Sequence, residues 1–176
     1  MRTLRALALT PLLAASLAAP LAAGDPPTVP AVDLGRYMGT WYEIARLPNF
    51  AEKDDGCATD TYRRLEDGRV EITYRHRFLD GSEGSNVHTA KVLDASGARW
   101  KVSFAWIFSA PYWILDLDPG YTRVLIGTPD RKYLWIESRT PDLPEAEIQA
   151  LLAKARALGY DTSKLIRCRV CPAGQP

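Results

Sequence analysis

In VEITYRHRF, residues 70–78, the positions Val70, Ile72, Tyr74, His76 and Phe78 alternate with Glu71, Thr73, Arg75 and Arg77. The same period of two returns further on, with Trp100, Val102, Phe104 and Trp106 against Lys101, Ser103 and Ala105. Successive side chains of a strand point to opposite faces, so each segment has one dry face and one wet face. Turn-forming stretches cut the chain at short intervals: EDGR at 66–69, LDGSEG at 79–84, DASG at 94–97, DPG at 118–120 and TPDRK at 128–132. Eight strands are predicted between them, over 41–47, 57–65, 69–78, 84–93, 98–106, 112–118, 122–128 and 133–139. Joints this short force antiparallel neighbours. The one longer connection, PNFAEKDDG at 48–56, lies between the first two strands.

After these strands the period changes. Pro144 opens EAEIQALLAKARALGY, in which Ile148, Leu151, Leu152, Ala155 and Leu158 share one side, acids occupy the first turn and Gly159 stands at the exit. This is one amphipathic helix. One helix cannot cover both faces of such a sheet, and an open sheet leaves two edges free to pair with other chains, whereas closure removes them. The expected fold is therefore all-β: an eight-stranded antiparallel up-and-down barrel with one C-terminal α-helix packed outside. A barrel of this size has an interior that is either filled by side chains or holds one small ligand, and that choice decides function.

The chain opens on MRTLR and then ALALTPLLAASLAAPLAA, basic residues followed by an apolar run ending in small residues. It reads as a secretory signal peptide over 1–23, cleaved near Ala23 or Gly24; Pro11 and Pro20 interrupt the run and argue against a membrane-spanning helix. GDPPTVPA, 24–31, has no periodicity and reads as a linker, which leaves the domain at 32–176. No cysteine stands near the cleavage site to take a lipid, so a periplasmic or secreted location is expected. With 22 basic residues against 21 acidic and no basic tract, nothing points to a nucleic-acid partner. In an exported chain two of Cys57, Cys168 and Cys171 should pair, leaving one over. A bond from Cys57 to Cys171 would close a long loop, worth about 4 to 5 kcal/mol in the chain-entropy model. Zinc is the alternative for CRVC, but His76 and His88 lie far upstream and make a poor ligand set; no metal and no cofactor is expected.

Three segments in order, GTWYEIARLPNF at 39–50, DLDPGYTRVLIGTPDRKYLWIESRTP at 116–141 and GYDTSKLI at 159–166, resemble the signatures of the lipocalins, most closely the group containing the bacterial lipocalins and apolipoprotein D. A lone G-x-W is weak; the series runs from about Val32 to Ile166, together with the predicted strands and helix. The resemblance implies that Trp41, after Gly39, closes the narrow end of the barrel with Arg139 over its ring, a cation–π contact worth about 0.5 to 2 kcal/mol. It also implies a Cys57–Cys171 bond with Cys168 free, and a binding protein rather than an enzyme, with no catalytic residues. This chain departs from the group in two ways. Many bacterial members carry a cysteine at the cleavage site, and Asp60 stands where relatives commonly have a small apolar residue. Asp60 alternates with Ala58 and Tyr62 on the inward face, where a carboxylate must find a partner or rise in pKa.

Connections alternate between the two ends of such a barrel, so the first joint shares its end with those at 79–84, 107–111 and 129–132. AWIFSAPYW, 105–113, then stands at the mouth. Phe50, Phe78, Trp106, Phe108, Tyr112 and Trp113 are predicted as an aromatic rim and upper lining, above walls of Tyr62, Val70, Ile72, Tyr74, Val102 and Phe104. Contiguous apolar surface at an opening marks a binding site. An acyl chain suits it, each buried methylene contributing about 0.8 kcal/mol against association costs of several kcal/mol. The expected function is binding, storage or transport of a fatty acid or lysophospholipid in the cell envelope, by a monomer or homodimer whose open rim touches the membrane transiently. Arg75, Arg77, Arg131 and Lys132 near the mouth offer two readings, selection of an anionic head group or solvated outer-face charges, of which the second is preferred. The alternatives are a lipid-modifying enzyme or a haem-binding protein using His76, though no Ser/His/Asp set has recognisable spacing, and a barrel filled by its own side chains.

Overall fold

The computed structural model describes residues 24–53, 55–104 and 108–169. Eight strands run up and down: β1 (Gly39–Arg46), β2 (Asp55–Arg64), β3 (Val70–Phe78), β4 (Glu83–Val92), β5 (Arg99–Phe104), β6 (Phe108–Leu117), β7 (Arg123–Gly127) and β8 (Leu134–Ser138). Each pairs antiparallel with the next, and β1 pairs with β8 as well as β2, which closes the barrel. The expected strand order and closure are both present. Most boundaries agree within two residues, and one differs by more: residues 108–111, expected as a joint, belong to β6. Pro111 sits opposite Lys101 of β5, while β7 reaches only to Trp113, so the missing N–H of Pro111 lies where β6 has a neighbour on one side alone.

A ninth strand, β9 (Ile166–Arg167), has no counterpart in the sequence reading, because two residues are too few to show a period. β1 and β2 pair from Gly39 opposite Tyr62 to Tyr42 opposite Thr59 and then part. In the gap β9 takes up β1, Arg46 opposite Ile166. Beyond it the Cys168 N–H donates to the Ile44 carbonyl at 3.0 Å and the Arg169 N–H to the Gly56 carbonyl at 2.7 Å. The tail thus satisfies backbone groups that the splayed strands would leave unpaired.

Two faces of the barrel wall are dry. Outside, helix α2 (Glu145–Ala157) buries Ile148, Leu151, Leu152 and Ala155 against Trp113, Leu115, Leu125, Leu134 and Ile136. Inside, Trp41, Tyr62, Val70, Ile72, Trp100, Val102, Ile114, Val124 and Ile126 form a second cluster. A four-residue helix, α1 (Leu34–Tyr37), leads into β1; Asp33 caps it, its Oδ1 accepting from the N–H groups of Gly35 at 2.8 Å and Arg36 at 3.2 Å. The prolines of 24–31 do not leave that segment detached: the Val29 N–H donates to the Ile114 carbonyl at 3.0 Å, and Val29 packs on the interior cluster.

Candidate ligand site inside the barrel

The narrow end is sealed from below. Trp41 is fully buried, its Nε1 donates to the Tyr37 carbonyl at 2.9 Å, and the Arg139 guanidinium lies 3.9 Å from its ring centroid. Arg139 also donates to the carbonyls of Thr40, Arg36, Tyr37 and Met38, tying α1 to the start of β1. Gly39 has φ +94, and a Cβ there would stand 3.2 Å from Arg139 Nη1. Backbone shape and the close guanidinium both call for glycine.

Above Trp41, four rings plug the barrel. Tyr37 meets Trp41 and Trp100 at 5.1 and 5.4 Å, Tyr62 meets Trp100 at 5.9 Å, and Trp100 stacks on Tyr112 at 5.2 Å. The Tyr112 hydroxyl bonds to those of Tyr37 at 2.6 Å and Tyr62 at 2.8 Å. Burial pushes all three phenols above their ordinary pKa, so they stay neutral donors and acceptors. Tyr62, predicted as ligand wall, is 2% exposed and belongs to this plug with its hydroxyl engaged.

Over the plug lies a belt of acids. Asp60 stands opposite Trp41 on β2, and Glu43 stands opposite Glu137 across β1 and β8. Asp60 and Glu137 share a hydrogen bond, which between two carboxyls requires a proton. Burial and then the Glu43 charge raise Asp60 to about 8; burial, Asp60 and Glu43 raise Glu137. Asp60, expected to find a partner or rise in pKa, does both. Nearer the mouth Arg46 is 1% exposed, donating from Nη1 to Glu43 Oε1 at 2.7 Å and from Nη2 to the Glu52 carbonyl at 2.5 Å. Glu52 accepts from Trp135 Nε1 at 3.1 Å, and burial, then Glu43, push it up to about 8 against the opposing pull of Asn49, Trp135 and Arg46. The Cys168 thiol donates to Glu43 Oε1 at 2.8 Å and is held well above the usual thiol range by burial and that carboxylate. Cys168 is free. Cys57 is buried on β2, and its expected partner Cys171 lies outside the described residues.

Asp60 and Tyr112 are only part-buried although their strands and partners place them inside the wall. Unfilled space therefore borders them. Ile72, Tyr74 and Val102 are buried on the same inward face. Where the barrel opens, Phe50 is 88% exposed, Phe108 68% and Phe104 39%, and Leu79 in the joint after β3 is exposed as well. Phe104 faces Phe108 across β5 and β6 and stands 4.9 Å from His88. Trp106 lies outside the described residues. Trp113 is the correction to the predicted lining: its neighbours Tyr112 and Ile114 point inward, so Trp113 points outward, among the side chains under α2, with Arg99 over its ring at 4.9 Å.

His76 is 6% exposed, held between Tyr74 at 5.0 Å and Phe78 at 4.6 Å. Its imidazole lies across Gly84, where an added Cβ would come within 2.3 Å of Nε2. Phe78, predicted at the rim, is half-buried and serves this packing. The four cations noted near the mouth do not line the interior. Arg75 is exposed, Arg77 pairs with Glu83 at 2.5 Å, Lys132 pairs with Asp130 at 3.5 Å, and Arg131 donates to the carbonyls of Leu158 and Gly24. The sequence reading missed Glu43, Arg46, Glu52 and Glu137. Two of these were legible: Glu43 follows Trp41 by two residues and Glu137 follows Trp135 by two, the inward period.

Residues 32–169 match the family model of the lipocalin-like domain. The chain is 38% identical over 171 residues to the outer membrane lipoprotein Blc of Escherichia coli (strain K12), covering 90% of this chain and 95% of that protein. It is 31% identical over 149 residues to apolipoprotein D of Mus musculus, covering 80% and 78%. The solved structure of insecticyanin from the tobacco hornworm Manduca sexta matches with a TM-score of 0.66 over 85% of this chain and 86% of that one, at 19% identity, which is a likeness of fold. Closed barrel, sealed narrow end, outer helix and these relatives together make the chain a lipocalin, of the group that holds the bacterial lipocalins and apolipoprotein D.

Proposed function

We propose that this protein binds and carries a small hydrophobic ligand inside its barrel, in the cell envelope. The observation that carries the reading is the pair of inward residues, Asp60 and Tyr112, that keep open surface above a sealed aromatic plug. The exposed rings of Phe50, Phe104 and Phe108 at the mouth support entry of an apolar molecule there and transient contact of this end with a membrane. An acyl lipid fits such a site, either a fatty acid or a lysophospholipid, its chain buried at about 0.8 kcal/mol per methylene. Binding of this kind needs no catalytic group. The leader-like segment, which lies outside the described residues, and the outer membrane lipoproteins among the relatives support an envelope location. Native mass spectrometry after gentle purification should show a lipid-sized adduct that a fluorescent fatty acid displaces. Protein that emerges empty and leaves the fluorescent probe free in solution would refute the proposal.

A further inference from the structure

Open surface inside the barrel is not spread evenly. On β3 the inward residues Ile72, Tyr74 and His76 are all buried. Across from them on β4, His88 is half-buried and Asn86 exposed, and further round the wall Phe104, Phe108 and Ala110 also keep surface. The unfilled space therefore lies against the β4 to β6 wall. The polar side chains that this wall offers above the tyrosine plug are Asn86 and His88, which face inward because Asn86 pairs with Tyr74 and His88 with Ile72. Neither side chain makes a hydrogen bond among the described residues; His88 Nδ1 is buried without a partner, while Nε2, also without one, is not enclosed. A buried N–H lacking an acceptor is rarer than a bare buried acceptor, so the proton belongs on Nε2, the open side of the ring. Burial lowers the His88 pKa below the ordinary imidazole value, which keeps the ring neutral at neutral pH. The wall thus presents an uncharged set of donors and acceptors beside apolar rings, with Phe104 4.9 Å from His88. The charged groups lie elsewhere: Asp60 stands two strands from Asn86, beyond Tyr74, Arg46 is engaged by Glu43, Glu52 and Cys168, and Arg139 lies against Trp41 at the sealed end.

We infer that Asn86 and His88 hold the polar group of the ligand, and that this group is an uncharged hydroxyl, as in a long-chain alcohol or a monoacylglycerol, with its chain against Phe104, Phe108 and Ala110. This rests on the carrier reading and names the chemistry of that same site. A hydroxyl accepts from His88 Nε2 and donates to Asn86 Oδ1, so it uses both partners. A carboxylate can only accept, and on this wall it would leave water with no cation to meet.

The test uses the protein freed of lipid, titrated near neutral pH with 1-dodecanol and with laurate, and read by tryptophan fluorescence and by the imidazole NMR resonances of its two histidines. Dodecanol should bind about tenfold more tightly than laurate and shift the His88 resonances while those of His76 stay in place. His88→Phe and Asn86→Leu should each weaken dodecanol about fivefold, the share of one hydrogen bond, and move laurate about twofold or less. Either variant serves if the other fails to fold, and the wild-type resonances need neither. Laurate binding as tightly as dodecanol, or dodecanol binding that leaves the His88 resonances and both variants unmoved, overturns the inference and leaves the carrier reading standing. Failure of both ligands to bind overturns both.

Discussion

Replacing Asp60 with Asn should stabilise the protein at neutral pH. The carboxyl lies inside the barrel, and burial followed by the Glu43 charge raises it from 3.8 to about 8. A carboxyl whose folded pKa lies above its unfolded one takes up a proton on folding. Its contribution to stability is complete below about pH 4 and drains away as the pH climbs toward about 8, the reverse of an ordinary salt-bridged aspartate. One proton taken up tilts stability by about 1.4 kcal/mol per pH unit. Asp60 and Glu137 share one hydrogen bond, so a single proton for the pair is the quantity expected. Asn keeps the shape, donates to Glu137 and cannot ionise. Urea unfolding followed by tryptophan fluorescence without reductant, at steps from about pH 5 to about 8, should show wild-type stability falling at least that steeply, because Glu52, also raised to about 8, takes up a proton over the same range. Asp60→Asn should run flatter by about 1.4 kcal/mol per unit and lead by roughly 3 to 4 kcal/mol near neutral pH. A wild-type curve that rises over this range, or a variant curve parallel to it and below, would show that the acid belt is not protonated in the fold and that the reasoning fails.

Three further outcomes follow from the same interior. Arg139→Leu removes the cation from Trp41 and the donors from four carbonyls, and should cost about 2 to 4 kcal/mol in denaturant unfolding. Tyr112→Phe leaves the hydroxyls of Tyr37 and Tyr62 without their shared partner and should lower stability by about 1 to 3 kcal/mol, read as a shift of the urea midpoint with an unchanged slope. The Cys168 thiol, half-buried and held protonated by burial and Glu43, should resist an alkylating reagent in the folded protein and react on unfolding; peptide mapping without reductant should then find Cys57 joined to Cys171.

The alternation of Val70, Ile72, Tyr74 and His76 was enough to say which side chains of β3 face inward, because a strand residue's face depends on parity along a few residues. The helix over Glu145–Ala157 was legible for the same kind of reason, its apolar stripe being a local period. The run 105–113 misled in one respect: its density of rings suggested one aromatic rim, but parity sends Trp113 to the outer face while Tyr112 goes to the plug. Asp60 and Glu137 each occupy readable inward positions, yet their meeting depends on β1 accepting β2 on one side and β8 on the other. That closure is a pairing between distant segments. The gap that β9 fills opens only because β1 and β2 splay after Tyr42, a geometric result of the barrel that no local pattern carries. Periodicity alone thus determined the strands, the helix and the inward or outward sense of most residues, since these follow from neighbours along the chain. Tertiary structure alone decided which inward residues touch and where space remains, since both depend on the register of strands brought together from far apart.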